Sequence, residues 1–327
     1  MDITERPRRL RSTPAIRALV QENSIAASSL ILPVFIREGL TEPVPIPGMP
    51  GVVQHTPKSL EEEISKALAV GIGGVMLFGI PERRDADGTE ALNPDGVLSR
   101  AVRQARAQAG DKLVIAADLC LDEFTSHSHC GVLDKEGRVD NDRTLEIYAA
   151  MAEVLADAGA HMVGTSGMMD GQVGAVRRHL DSVNRSDVLI LAYAAKFASA
   201  FYGPFRDAVE SQLIGDRKSY QQDPANSKDS LREIRLDVAE GADIIMVKPA
   251  LAYLDILAAA SQMVDVPTAA YVVSGEMAML ESAAAQGFVD RERGIMEIMT
   301  SIRRAGASVI CTYWALEVAR LVKEGSA

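Results

Sequence analysis

Two lysines close apolar runs that read as buried strands: Lys196 ends 188–196, and Lys248 ends 244–248 just before Pro249. Burying an ammonium costs several kcal/mol unless it deprotonates or finds a partner, so such a lysine tends toward the neutral, nucleophilic amine. Neutral amines attack ketones. If both strands share one sheet, each ammonium also lowers the pKa of the other. The pair therefore predicts a Schiff-base enzyme with one or two imine-forming lysines. Either lysine alone reads equally well as a strand-end residue whose head reaches water along its own stem.

A second set of reactive side chains lies in 118–131: Asp118, Cys120, Asp122, His127, His129 and Cys130. Thiolate and imidazole are the preferred zinc ligands, so a tetrahedral site can be assembled from them. The spacing is not that of a zinc finger or ribbon, and unpaired cysteines often merely pack. Cys311, within an apolar run, reads as packing. A third set, Arg206, Arg217, Lys218, Tyr220 and Gln221, falls in the long segment 197–228 together with Gly203 and Pro204. Guanidinium groups pair with carboxylates at two points, so the segment suits a lid closing over an acid; the alternative is a solvated charged loop.

Eight short apolar runs must position these groups: 30–36, 74–78, 113–120, 161–166, 188–196, 243–248, 268–274 and 308–314. Amphipathic stretches such as 59–70, 144–158, 230–240 and 291–305 separate them, with Gly71, Gly159, Gly241 and Gly306 where helix caps belong. Eight strand–helix repeats predict an α/β TIM (β/α)8 barrel, whose active site lies at the C-terminal strand ends. Asp118, Ser166, Lys196, Lys248, Ser274 and Tyr313 would then meet at one mouth. A doubly wound open sheet is the competing architecture, but its single crevice would leave six reactive strand ends unexplained. Residues 1–25, with Arg6, Arg8, Arg9 and Arg11, precede the first strand and read as an extended arm suited to packing on a neighbouring subunit; 26–327 form the barrel domain.

Composition narrows the function. A net charge of −11 disfavours a nucleic-acid partner. No run approaches the roughly 18 apolar residues of a membrane span, and the N-terminus has no signal-peptide core, so neither membrane association nor export is expected. Three cysteines make no disulfide framework, in keeping with a cytoplasmic protein.

At 195–207 and 215–221, Met246-Val-Lys-Pro249 and Val273-Ser-Gly-Glu276, the sequence resembles the porphobilinogen synthase family, also called 5-aminolaevulinate dehydratase. The resemblance runs from the arginine-rich arm through Asn93-Pro-Asp-Gly96, Thr125-Ser-His127 and Met168-Met-Asp-Gly171 to Thr312-Tyr-Trp314. It implies a TIM barrel with an arm embracing a neighbour, commonly in a homo-octamer, and condensation of two 5-aminolaevulinate molecules to porphobilinogen with loss of two waters. By position it implies that Lys248 binds the propionate-side substrate and Lys196 the acetate-side one. Arg206, Arg217 and Gln221 would hold one carboxylate, Ser274 and Tyr313 the other, and Asp118 and Ser166 would stand near the proton transfers. Zinc-dependent members carry three cysteines where this chain has Cys120, Asp122 and Cys130, so no essential catalytic zinc is expected. Glu233 matches the glutamate of magnesium-responsive members and implies an allosteric Mg²⁺. Thr165, Gly167 and Gln172 depart from the family's usual pocket wall. A paralogue acting on another amino ketone, or a silent barrel subunit, are the competing functions.

Overall fold

The eight apolar runs form the parallel strands of a closed barrel in the structure, a computed structural model describing residues 3–325. They are β1 (Leu30–Arg37), β2 (Gly74–Ile80), β3 (Val114–Leu119), β4 (Met162–Thr165), β5 (Leu189–Lys196), β6 (Ile244–Lys248), β7 (Thr268–Val272) and β8 (Val309–Thr312). Each pairs with the next, and β8 returns to β1 with Leu30 opposite Ile310 and Ile31 opposite Cys311. Helices on the outside and packed side chains inside bury both faces of every strand, which is why these runs are continuously apolar instead of alternating. This is the TIM barrel; no open sheet edge of the doubly wound alternative exists among the eight strands.

The helices follow from their patterns. Pro57–Val70 opens with a capping box between Thr56 and Ser59, carries Pro57 in its first turn, and buries Leu60, Ile64 and Ala67 on one stripe. Gly71 and Gly241 are left-handed caps as predicted, whereas Gly159 and Gly306 lie one residue past the caps Ala158 and Ala305.

Strand ends differ from the sequence expectation in a consistent way. The run 268–274 is strand only to Val272, because Ser274 already opens the helix Ser274–Ala285; Glu276 turns back to accept the Val273 N–H at 2.7 Å, as a helix start requires. Likewise β8 stops at Thr312, and Tyr313 falls in the turn before Ala315–Lys323. A short antiparallel hairpin, Val44–Pro45 with Val53–His55, was not foreseen; two- and three-residue strands carry too little periodicity to register in sequence.

Of the arm, residues 1–2 lie outside the described residues, as do 326–327 of the barrel domain. Pro7–Arg11 and Pro14–Leu19 make two short helical turns that bury no residue. The segment after β5 contains a helical turn Ala200–Tyr202 and a helix Gly203–Ala208, and the next barrel helix begins at Ser227, so the connecting loop is slightly shorter than 197–228. It lies across the barrel mouth. Gln54 donates to the Ala208 carbonyl at 2.8 Å, and the Arg84 fork holds the carbonyls of Val209 and Glu210 at 2.9 and 3.0 Å.

Candidate active site

The register of β5 against β6 slips between Ala192 and Ala195, and beyond the slip Lys196 stands opposite Lys248. Neighbouring residues in a parallel pair point the same way, so the irregularity brings two amines side by side. They are only 6% and 5% exposed and line a cavity of about 300 Å³. Asp118, Asp122 and Ser166 line its barrel side; Arg206, Arg217 and Gln221 line it from the segment above.

The two lysines meet different walls. Lys248 Nζ lies 4.0 Å from the ring centroid of Tyr271, 5.1 Å from Tyr193 and 5.3 Å from Phe205. A desolvated cation–π contact gives about 2 kcal/mol, less than the several kcal/mol that burial of the ion costs. Desolvation wins, and with the repulsion of Lys196 it lowers the Lys248 pKa to about 8. Lys196 Nζ donates to the Ser166 carbonyl at 2.6 Å. Burial alone would lower its pKa too, but the acidic groups of Cys130, Cys120 and Asp122 outweigh burial and raise it.

Asp118 and Ser166 form a pair beside Lys196, the Ser166 hydroxyl donating to Asp118 Oδ2 at 3.0 Å. Burial, followed by the Asp122 charge, pushes Asp118 up to about 7, a value at which a carboxyl can both give and take protons near neutrality. Asp122 goes the other way: although burial raises it, Arg217 and Lys196 hold it well below the usual carboxylate range.

Ser274 and Tyr313, expected at the same mouth, do not line this cavity. Ser274 Oγ accepts the Phe205 N–H at 2.9 Å, and the Tyr313 hydroxyl lies 3.3 Å from that of Tyr271. Phe205 packs its ring on Phe35 and Phe78, and Tyr313 stacks on the same Phe35. The aromatic surround of Lys248 was missed by sequence reading. Tyr271 and Tyr193 are inward positions of apolar strands, indistinguishable there from core, and Phe205 reaches Lys248 only through the fold of the segment above.

The departures at the pocket wall have local causes. A Cβ on Gly167 would sit 2.1 Å from the Tyr148 hydroxyl, so no larger residue fits while that phenol donates to the Cys130 carbonyl, with Cys120 Sγ 3.7 Å away. Gln172 accepts the Met169 N–H at 3.3 Å and donates to the Leu119 carbonyl at 3.5 Å, tying the loop after β4 to the end of β3.

For metals, donor atoms of Cys120, Asp122 and Cys130 all lie within 4.8 Å of one another, as do those of Asp118, Cys120, Asp122 and Glu123. The first set fits a zinc-class ion in number and chemistry, though Arg217 already engages Asp122 Oδ2 at 2.9 Å. Hydrogen bonding from Cys120 lowers the Cys130 thiol to about 6, so a thiolate is available at neutral pH. His127 and His129 stay out of both sets, meeting the Ala86 carbonyl and the Tyr220 hydroxyl at 3.1 Å each. Glu233 lies elsewhere, in a groove with Asp170, Asp229 and Glu240; burial and these three charges raise its pKa. Among the described residues it joins no converging donor set.

The family model for delta-aminolevulinic acid dehydratase matches residues 4–321. Delta-aminolevulinic acid dehydratase of Streptomyces coelicolor is 60% identical over 320 residues, 97% of each chain, and that of Mycobacterium tuberculosis is 56% identical over 317 residues, 96% of each. The crystal structure of Toxoplasma gondii delta-aminolevulinic acid dehydratase (porphobilinogen synthase) with its product porphobilinogen superposes with a TM-score of 0.96 at 44% identity, covering 98% of this chain and 92% of that one. Identity at this level, spanning both lysine strands, the loop after β3 and the segment over the mouth, places the chain in the delta-aminolevulinic acid dehydratase family.

Proposed function

We infer that this chain is a porphobilinogen synthase, a hydro-lyase that condenses two 5-aminolaevulinate molecules to porphobilinogen with loss of two waters, supplying tetrapyrrole synthesis. The observation that carries the mechanism is the pair Lys196 and Lys248, adjacent in register and opening on one cavity. Lys248 is the amine nearer neutrality and attacks the first ketone; an imine acidifies the neighbouring carbon and makes its own carbon electrophilic, serving C–C and C–N bond formation in turn. Lys196 carries the second imine. It must shed a proton first, and the Ser166–Asp118 pair beside it is the acceptor, returning the proton when hydroxide leaves as water. Arg206, Arg217 and Gln221 clamp the acetate-side carboxylate: the Arg217 Nε and Gln221 Nε2 are buried without partners in the structure, donors suited to an incoming anion. Ser274 and Tyr313 serve the propionate-side carboxylate after Phe205 gives up its bond to Ser274.

The segment 197–228 acts as the lid and residues 1–25 as an oligomerisation arm in a homo-octamer. The arm's exposed Ile3, Leu10, Leu19 and Val20 support this reading, being apolar surface that a neighbour would cover. No helix among the described residues is long and apolar enough to cross a membrane, and a cytoplasmic enzyme acting on small molecules, without a nucleic-acid partner, agrees with the acidic surface. Mg²⁺ near Glu233, within the acidic groove, is the stimulating metal; zinc at Cys120, Asp122 and Cys130 is not required for chemistry. Incubation with 5-aminolaevulinate, with and without Zn²⁺ or Mg²⁺, and chromogenic detection of the pyrrole tests the assignment. No pyrrole under any metal condition would refute it.

A further inference from the structure

The lid is held in two parts. Residues 205–210 meet Ser274, Gln54, Arg84 and Arg37, whereas 212–220 gather their hydrogen bonds on one loop, the one after β3. Arg217 Nη2 donates to Asp122 Oδ2 at 2.9 Å and to the Ser128 carbonyl at 2.8 Å; Gln212 N–H donates to Ser128 Oγ at 2.9 Å; the Tyr220 hydroxyl meets His129 Nδ1 at 3.1 Å and the Cys130 N–H at 3.4 Å. Ser128 has a left-handed backbone, φ 56°, a conformation that a non-glycine residue rarely adopts, and in it the carbonyl and the hydroxyl each hold a separate part of the lid. The side chains of Arg217 and Asp122 are only 13% and 4% exposed, so this ion pair is desolvated on both sides, and removing either partner leaves an uncompensated buried charge.

We propose that Asp122 is a positioning residue that latches the closed lid through Arg217, leaving that guanidinium's unpartnered Nε edge to the substrate carboxylate. Opening the lid leaves the Asp122 carboxylate on the loop after β3 without its guanidinium, so the pair favours closure before substrate arrives. The negative charge at 122 thus fixes the clamp's orientation and does not depend on an ion to bridge the two elements. The role deepens the condensation reading above, on which its kinetic consequences rest.

The test uses the full-length protein without substrate and trypsin as the probe, because cleavage after Arg206 or Lys218, sites kept in every variant, reports the open lid. Asp122→Asn and Arg217→Gln, each checked for an intact melting transition, are expected to speed cleavage between Gly203 and Gln221 by about tenfold or more, since each breaks a buried pair. The double variant should be no faster than the worse single one, as two halves of one contact require. In turnover with 5-aminolaevulinate, the loss in Asp122→Asn should fall more on KM than on kcat. Should Asp122→Asn fail to fold, Arg217→Gln carries the test from the other half of the pair. Wild-type cleavage rates in the variants, or additive effects in the double one, would overturn the latch. If wild type makes no pyrrole while the variants still free the lid, the catalytic reading fails and the latch stands; the reverse result separates them the other way.

Discussion

Lys248 and Lys196 are neighbours on adjacent strands, equally buried, and yet chemically opposite. The Lys248 wall is aromatic, with Tyr271, Tyr193 and Phe205 around the amine and no carboxylate in hydrogen-bonding contact; burial dominates and the pKa falls to about 8. The Lys196 wall is acidic and polar, with the Ser166 carbonyl at 2.6 Å and Asp122, Cys120 and Cys130 beyond; here negative charge outweighs burial and the pKa rises. The barrel therefore makes two reagents from one residue type. One amine lies near its neutral form and the other is held protonated, which suits the two roles proposed for them.

The largest effect should come from removing the first amine. Lys248→Arg keeps the charge but cannot form the imine, and turnover is expected to fall by about three orders of magnitude or more. In wild type treated with limiting 5-aminolaevulinate and borohydride, peptide mapping should place the label on Lys248 before Lys196. Label on Lys196 first would reverse the comparison. Asp118→Asn addresses the other wall: losing the group proposed to take the Lys196 proton should cost about a hundredfold in kcat. A kcat within threefold of wild type would mean that Lys196 deprotonates by another route.

The aromatic wall also makes a prediction about pH. Below its pKa of about 8 Lys248 is ammonium, so single-turnover imine formation should rise about tenfold per pH unit up to that point and then level off. A flat profile between pH 6 and 8 would show that the amine is already neutral there. The same shift links to stability. Folding lowers this pKa from 10.5, so the unfolded chain binds the extra proton between pH 8 and 10.5, and the destabilisation is fully present below pH 8 and fades as pH rises through that window. Lys248→Met should accordingly melt higher than wild type at pH 7, by about 2–4 kcal/mol of stability, while making no product. A lower melting temperature in calorimetry would mean that the amine is stabilised by its rings after all.

The smallest effect is expected far from both walls. Glu233→Ala should abolish any Mg²⁺ stimulation and leave basal turnover within about twofold, as befits a half-buried acid outside the cavity. Wild-type Mg²⁺ response in that variant would move the metal elsewhere, and loss of activity on zinc-selective chelation would return it to Cys120, Asp122 and Cys130.

The barrel was legible because each strand is buried on both faces and each helix on one, so the periods in the sequence report layers directly. The two lysines were legible for a related reason: an ionisable head at the end of a buried run conflicts with its surroundings wherever the run is placed. The chain by itself thus determined the eightfold repeat, the strand-end chemistry and the family. Three things were decided only by the tertiary structure. The slip in β5 sets the lysines side by side, and no local propensity marks it. Ser274 and Tyr313 start helices or turns and stand behind Phe205, because the last strands end sooner than their apolar runs. Asp122, read in sequence as a weakened metal ligand, meets Arg217 from 95 residues away. Such pairings are electrostatic facts about surroundings, and surroundings are assembled from segments that sequence spacing does not relate.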